Sequence, residues 1–232
     1  MLRAVLFDAG GTLVHVDYVR VRRALLHSVG RAPTAEALAA AEYEGRAAVE
    51  AAMAADPALK DGTRWQLHFF GALGSLGFTP AELARAGPEI RAEHEHANLW
   101  TVVQPGAAPA LASLRGAGLT VGCVSNSNGT VAALLAQLGL GDVLDFVVDS
   151  GVVGVEKPDP AIFRIALERA GVAPAEAMHV GDLFPVDVVG ARRAGIEAVL
   201  LDPLGRYAGR GCRTAPDVPA LCRELVSSAG GR

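Results

Sequence analysis

The chain has 232 residues, a net charge of −4, and 51% hydrophobic and 20% charged residues. This composition allows a buried core and excludes an intrinsically disordered chain. No long basic run is present, which argues against nucleic-acid binding. No apolar run approaches the ~18 residues of a membrane span, and the first residues lack the pattern of a signal peptide, so we expect a cytoplasmic protein without membrane contact.

The first predicted element is a buried strand. The apolar run Leu2–Phe7 ends on Asp8-Ala9-Gly10-Gly11-Thr12. The segment 17–98 is different, because it is rich in Ala, Leu, Glu and Arg and has almost no β-branched runs. Propensity and Gly/Pro breaks predict helices there at Ala35–Ala54, Arg64–Leu76 and Pro80–His96. We therefore expect a helical domain over 17–98, inserted into a core formed by 1–16 and 99–232.

The rest of the chain alternates strands and helices. Short runs rich in Val and Leu predict strands at Leu119–Val124, Leu144–Val148, Ala177–Val180 and Ala198–Leu201. Gly and Pro boundaries predict helices at Ala107–Arg115, Thr130–Leu138, Pro160–Ala170, Val186–Ala194 and Ala215–Val226. Continuous apolar strands separated by helices predict an α/β fold with a doubly wound parallel sheet.

Four polar motifs stand at the ends of predicted strands or beside a predicted helix. They are Asp8 through Thr12, Ser125-Asn126, Lys157-Pro158, and Gly181-Asp182 followed by Asp187. A helix cap, a turn or a solvated charge would explain each motif alone. Together they predict one site, because open α/β sheets bind ligands outside the carboxyl ends of their strands.

The chemistry that these groups suit is phosphoryl transfer. A carboxylate that attacks a phosphoryl group meets charge repulsion, which a divalent metal and a lysine reduce. Asp8 and Asp182 offer the hard oxygen ligands that Mg²⁺ prefers. Lys157 is a point charge for phosphate, and Lys60 is the only other lysine in the chain. Ser125 adds a hydroxyl donor.

Cysteine usage predicts reduced thiols. Cys123, Cys212 and Cys222 cannot all pair with one another, and their spacing matches no zinc motif. Free thiols are typical of cytosolic proteins.

The motifs from Phe7 to Asp187 resemble those of the haloacid dehalogenase superfamily of hydrolases, and the resemblance covers nearly the whole chain. It implies a Rossmann-like catalytic core and a helical cap of the first type, with hinges near His15–Asp17 and Gln104–Gly106. It also implies that Asp8 is a nucleophile that forms a covalent aspartyl intermediate.

The same resemblance implies roles for the other residues. Thr12 is expected to position the loop that follows Asp8, in addition to the role given below. The residues expected to be catalytic are Asp8, Ser125 and Lys157. Those expected to bind the substrate are Thr12, Ser125, Asn126 and Lys157. Those expected to bind Mg²⁺ are Asp8, Gly10 through its carbonyl, Asp182 and Asp187.

Gly10 departs from the pattern of the phosphatase members, in which a second aspartate at this position protonates the leaving group and later activates water. Gly10 keeps the backbone carbonyl and lacks the proton donor, which contributes roughly 10²–10⁴-fold in rate. We therefore expect a phosphatase of a small phosphorylated metabolite with weaker or rerouted acid catalysis. His15 is a candidate substitute acid near neutral pH.

Three alternatives stay open. A 2-haloacid dehalogenase needs no proton for its leaving halide, although the Asp182 motif is a metal signature that metal-free dehalogenases lack. A phosphonatase-like hydrolase would use a cap lysine, and Lys60 is the only lysine in the insertion. A non-catalytic binding or regulatory protein could keep the fold; a response-regulator receiver is disfavoured, because receivers lack the helical insertion.

The expected partner is a small phosphorylated or halogenated molecule, and the expected assembly is a monomer or a homodimer. Substrate choice is expected to lie in the cap. The cap residues that are candidates to face the substrate are Tyr18, Arg20, Arg64, Trp65 and His68.

Overall fold

The computed structural model describes residues 1–230, and the side chains of residues 1–228. Residues 231 and 232, at the end of the predicted core, lie outside the described residues. The chain divides into two compact units. One is formed by Met1–His15 and Val102–Arg232, and the other by Val16–Thr101.

The elements have the following bounds. The strands are β1 (Ala4–Phe7), β2 (Val14–Val16), β3 (Trp100–Val103), β4 (Thr120–Ser125), β5 (Phe146–Asp149), β6 (Ala177–Gly181), β7 (Glu197–Leu201) and β8 (Arg213–Ala215). The α-helices are α1 (Tyr18–Val29), α2 (Ala35–Ala55), α3 (Asp61–Ser75), α4 (Pro80–His96), α5 (Ala107–Gly116), α6 (Val131–Gln137), α7 (Ser150–Val153), α8 (Pro160–Ala170), α9 (Val189–Arg193) and α10 (Val218–Gly230).

The first unit is built on a six-stranded sheet in the order β5-β4-β1-β6-β7-β8. All neighbouring strands in it run parallel. Phe7 at the end of β1 is in register with Cys123 of β4 and Val180 of β6. All of β1 is fully buried, as expected of a central strand in a parallel sheet. The predicted α/β fold with a Rossmann-like parallel sheet is confirmed.

The chain order reverses beside β1. From β1 the chain reaches β4 and β5 on one side, and then crosses to β6, β7 and β8 on the other. Such a reversal opens a crevice at the carboxyl ends of the strands, where α/β proteins bind ligands. Three polar residues lie at this edge of the sheet: Asp8 after β1, Ser125 at the end of β4 and Asp182 after β6.

The predicted strands of the core are all present, with small shifts at their ends. The predictions did not include β8 or the two-stranded sheet of β2 and β3. These strands are short, and β8 has a single buried residue, so they leave no apolar run in the sequence. The helix predicted at Val186–Ala194 is split into a π-helical turn, Phe184–Val188, and α9.

The second unit contains α1 to α4 around its own apolar core, which includes Leu25, Phe69 and Ile90. Helix α1 is not among the predicted helices, because valines lower the helix propensity of its sequence. Asp17 offsets this by accepting hydrogen bonds from the first backbone N–H groups of the helix. Thr79 and Glu82 form a capping box at the start of α4.

Every helix of the described residues is too short or too polar to cross a membrane. The three cysteines are free thiols, as predicted, and Cys123 and Cys222 are buried.

Candidate active site

Asp8 is held at the carboxyl end of β1, where its backbone N–H donates to the carbonyl of Val180 at 2.8 Å. The loop that follows brings Gly11 against Asp182. Gly11 has a φ of +74°, and a Cβ at this position would lie 2.3 Å from Asp182 Oδ2. Only glycine fits, because any other residue would be strained and would collide with the carboxylate. The loop thus keeps Asp8 and Asp182 side by side.

Lys157 is the buried cation of the site. It is 2% exposed, and its Nζ lies 2.7 Å from Asp8 Oδ1 and 2.7 Å from Asp187 Oδ1. Burial alone would lower the pKa of Lys157, but the carboxylates of Asp187 and Asp8 outweigh it and raise that pKa. The side chain therefore stays an ammonium group.

The carboxylates around Lys157 outnumber it. Burial raises the pKa of Asp8 to about 8, with Asp187 and Asp182 adding to the shift and Lys157 opposing it. Three carboxyl groups against one ammonium leave the site short of positive charge.

This shortage fits a divalent cation. Asp8, Asp182 and Asp187 are buried, and each offers a carboxylate oxygen within 4.8 Å of the others. Mg²⁺ prefers oxygen ligands, and a bound cation supplies positive charge at such a site. The residues present therefore fit a magnesium site.

Both carboxylate oxygens of Asp187 accept hydrogen bonds. Oδ1 lies 2.7 Å from Lys157 Nζ and 3.0 Å from His179 Nε2, and Oδ2 accepts from the N–H of Leu183 at 3.0 Å. Burial opposes the ionisation of Asp187, but Lys157 and His179 together hold its pKa below the usual range. A Cβ on Gly181 would lie 2.2 Å from Asp187 Cγ, so glycine makes room for this carboxyl group.

Asn126 holds the backbone of Lys157. Its Nδ2 donates to the Lys157 carbonyl at 3.0 Å, and its Oδ1 accepts from the Lys157 N–H at 2.7 Å. Both ends of the side-chain amide thus contact the backbone of Lys157, and the role of Asn126 in substrate binding stays a prediction. Ser125 is 4% exposed at the end of β4.

Thr12 lies in the loop that follows Asp8. It is fully buried, and its Oγ1 has no hydrogen-bond partner among the described residues.

Gly10 lies close in the sequence to His15, the candidate substitute acid. Gly10 forms an isolated bridge with Val14. The Nε2 of His15 is within hydrogen-bond distance of Gln104 Oε1. This bond links β2 to the residue that follows β3.

A family model described as "haloacid dehalogenase-like hydrolase" matches residues 2–195. The chain belongs to this family. The predicted family, which is a family of hydrolases, is confirmed.

Several curated relatives of this haloacid dehalogenase-like hydrolase are named as phosphatases. Phosphoserine phosphatase from Thermus thermophilus is 34% identical over 212 residues, which are 86% of this chain and 81% of that protein. Glyceraldehyde 3-phosphate phosphatase from Methanopyrus kandleri is 34% identical over 159 residues, 68% of this chain and 67% of that protein. Haloacid dehalogenase-like hydrolase domain-containing protein 3 from Mus musculus is 43% identical over 102 residues. The match covers 44% of this chain and 40% of the mouse protein, so the chain spans less than half of that relative.

Solved structures of both dehalogenases and phosphatases are similar to this hydrolase. A dehalogenase with an intermediate complex has a TM-score of 0.65 at 25% identity, with 97% of both chains covered. A phosphatase of this family from Thermococcus onnurineus has a TM-score of 0.61 at 27% identity, with 97% of this chain and 98% of that chain covered. The fold alone therefore does not separate the two chemistries.

Two of the candidates predicted to face the substrate make structural contacts within the helical unit. Arg20 bonds the carboxylate of Glu93 at 2.9 Å and the carbonyl of Asn98 at 2.6 Å, and so ties α1 to the end of α4. Arg64 is 4% exposed and bonds Asp61 at 3.2 Å within α3.

The other three candidates lie among polar and aromatic side chains. The hydroxyl of Tyr18 donates to Glu42 at 3.1 Å. Burial lowers the pKa of His68, and the carboxylate of Glu42 opposes this shift. Trp65 lies beneath the guanidinium of Arg91, with 3.8 Å from its Cζ to the ring centroid.

Asp149 and His179 are among the buried polar residues that were not predicted from the sequence. Asp149, at the end of β5, is 4% exposed and accepts from the backbone N–H groups of Gly129, Val131 and Gly151. It therefore fixes the loop that follows Ser125. His179, as a polar residue inside an apolar run, was visible in the sequence.

Proposed function

We propose that this hydrolase is a Mg²⁺-dependent phosphatase of a small phosphorylated metabolite, and that it reacts through an aspartyl-phosphate at Asp8. The observation that carries the proposal is the position of Lys157 Nζ, 2.7 Å from Asp8 Oδ1, in a cluster that also contains Asp182. A carboxylate nucleophile needs such a cation to approach a phosphoryl group. Two relatives named as phosphatases add support.

In this proposal Asp8 attacks phosphorus, and the bond from phosphorus to the leaving oxygen breaks. The phosphoryl group is then carried on Asp8 until water attacks phosphorus and releases phosphate. Lys157 reduces the repulsion between Asp8 and the phosphoryl oxygens, and Ser125 donates its hydroxyl hydrogen to one of those oxygens. Asn126 keeps Lys157 in place through its backbone.

Asp8, Asp182 and the carbonyl of Gly10 would hold Mg²⁺, with Asp187 behind them. When bound, the ion would neutralise the charge of the carboxylates and of the phosphoryl oxygens. The three buried carboxyl groups beside the single ammonium group of Lys157 support this assignment.

Gly10 favours substrates with good leaving groups. An acyl phosphate or aryl phosphate releases an anion that needs little protonation, so the absence of an acid at Gly10 costs little rate. An alkyl phosphate needs the proton, and its turnover should be slower.

We propose that the helical segment 17–98 is a cap that selects the substrate, with hinges near 15–17 and 104–106. The phosphonatase-like alternative fits less well. Lys60 is exposed just before α3, and this exposure provides none of the burial that activates a Schiff-base lysine.

A 2-haloacid dehalogenase is the second candidate. Gly10 favours it, because a halide needs no proton donor, and a dehalogenase is among the similar structures. The buried trio of Asp8, Asp182 and Asp187 favours the phosphatase, because a halide displacement does not need a divalent cation.

The test is a panel of aryl phosphates, acyl phosphates, alkyl phosphates and 2-haloacids, with Mg²⁺ and with chelator. The proposal expects phosphate release that requires Mg²⁺ and is fastest with acyl or aryl phosphates. Chloride release in the presence of chelator would support the dehalogenase. Phosphate release that is unaffected by chelator would contradict the metal assignment.

A further inference from the structure

His179 is a fully buried histidine in the centre of the sheet. It lies in β6, the strand that delivers Asp182 to the site, and it is 0% exposed. Burying a polar group without a compensating hydrogen bond costs roughly 2–7 kcal/mol. The neighbours Met178 and Val180 show that apolar residues are accommodated in this strand. A histidine at this position therefore needs a hydrogen-bond partner.

The partner is Asp187. The Nε2 of His179 lies 3.0 Å from Asp187 Oδ1. An ionised carboxylate can only accept hydrogen bonds, so Nε2 must carry the hydrogen and donate it.

The surrounding structure fixes this ring. Side chains alternate along a strand, so His179 and Gly181 point to the same face of β6, and Asp187 lies over both of them. Phe163 of α8 packs edge-on against the imidazole, with ring centroids 4.9 Å apart and an interplanar angle of 83°. A Cβ on Gly190 would lie 2.7 Å from the Phe163 ring, so this glycine lets the phenyl group approach.

We propose that His179 is a positioning residue of the active site: through Asp187 Oδ1 it holds Lys157 against Asp8. The oxygen that accepts from His179 is the same atom that lies 2.7 Å from Lys157 Nζ. Without His179, Asp187 keeps its bond to the Leu183 N–H and can rotate about it, and Lys157 loses its fixed position. The catalytic consequence rests on the proposed function, whereas the hydrogen bond itself does not.

The hydrogen bond is tested by NMR of the ring nitrogens in protein with ¹⁵N-labelled histidine. The chain has six histidines, and His179→Gln assigns the signal by its loss. We expect the hydrogen on Nε2, and a shift of this signal in Asp187→Asn. A ring whose Nε2 carries no hydrogen would overturn the proposal whether or not the enzyme turns over any substrate.

The positioning role is tested by kinetics on the full chain with Mg²⁺ and an aryl phosphate. His179→Leu removes one of the hydrogen-bond partners of the buried Asp187 carboxylate, so we expect a folded protein with lowered thermal stability. We expect kcat to fall about 10- to 100-fold with little change in KM, as for other residues that orient active-site groups indirectly. His179→Gln retains an N–H at similar reach and should recover most of kcat. Met178→Leu, a buried change in the same strand, is the control and should leave kcat unchanged.

The outcomes separate this proposal from the proposed function. Wild-type kcat in His179→Leu, or equal losses in the leucine and glutamine variants, would overturn the positioning role. A wild-type protein that hydrolyses no phosphate would instead count against the phosphatase assignment, and the NMR signal would still decide the bond between His179 and Asp187.

Discussion

At the carboxyl ends of the paired strands β1 and β6, the carboxylate of Asp182 occupies the space that a side chain on Gly11 would need. A Cβ on Gly11 would be 2.3 Å from Asp182 Oδ2 and 2.6 Å from Cγ. The loop after Asp8 and the loop after β6 therefore pack backbone against carboxylate, and the position of one sets the position of the other. This contact links the nucleophile loop to the proposed metal ligand.

We expect Gly11→Ala to weaken Mg²⁺ activation, because the new methyl group displaces Asp182. The concentration of Mg²⁺ for half-maximal activity should rise about tenfold or more. The positive φ should also lower the free energy of unfolding by roughly 1–2 kcal/mol. Mg²⁺ titration of activity and urea unfolding measure the two effects.

Gly30→Ala is the matched control for this change. Gly30 has a φ of +78°, and a Cβ at this position would have no atom within 4 Å. An alanine there would therefore strain the backbone without colliding with another residue. Equal losses of Mg²⁺ activation in both variants would show that backbone strain, and not Asp182, is responsible.

Lys157→Met should lower kcat by at least about 100-fold, as expected when a group that stabilises the transition-state charge is removed. It should also lower the free energy of unfolding by about 3 kcal/mol, because it leaves Asp187 buried without its cation. Lys60→Met is the control, since it removes the only other lysine, which is exposed. A loss of activity in Lys60→Met would revive the phosphonatase-like hypothesis.

His15→Ala should change the turnover of an alkyl phosphate by less than about threefold, below the contribution of a general acid. The reason is that the Nε2 of His15 is bonded to Gln104 in this structure. A loss of about 100-fold or more that spares acyl phosphates would instead identify His15 as the substitute acid.

Glu82→Gln should destabilise the helical unit in a pH-dependent way. Hydrogen bonds from Arg31, and then from the Thr79 backbone, lower the pKa of Glu82 to about 2. The pKa of a glutamate in the unfolded chain is ~4.3. The contribution of Glu82 to the free energy of unfolding is therefore complete above that pH and is lost as the pH falls toward about 2. Urea unfolding should give a lower free energy of unfolding for the variant than for the wild type at neutral pH. This difference should be smaller at about pH 3.5. A difference that does not change with pH would contradict the lowered pKa of Glu82.

Much of the site could be predicted because it lies at the ends of strands that are plain in the sequence. The apolar runs before Asp8, Ser125 and Asp182 predicted both the sheet and the edge where the polar groups meet. Lys157 was identified by its place before a helix and by the scarcity of lysine.

The rest depends on geometry that has no signature in the sequence. The contact of His179 with Asp187 forms because the π-helical turn at Phe184–Val188 carries Asp187 back over β6. The double hydrogen bond from Asn126 to the backbone of Lys157 joins residues that lie 31 positions apart. Neither spacing follows from propensity or periodicity, so neither contact could be predicted from the sequence.

The central claim is that Asp8 carries the phosphoryl group. The most direct measurement is an acid quench of the enzyme during turnover of a ³²P-labelled acyl or aryl phosphate, followed by mapping of the label on the protein. The account predicts a hydroxylamine-sensitive label on the peptide that contains Asp8, absent with chelator and absent in Asp8→Asn. Phosphate release with no label on that peptide, or a label that persists in Asp8→Asn, would contradict it.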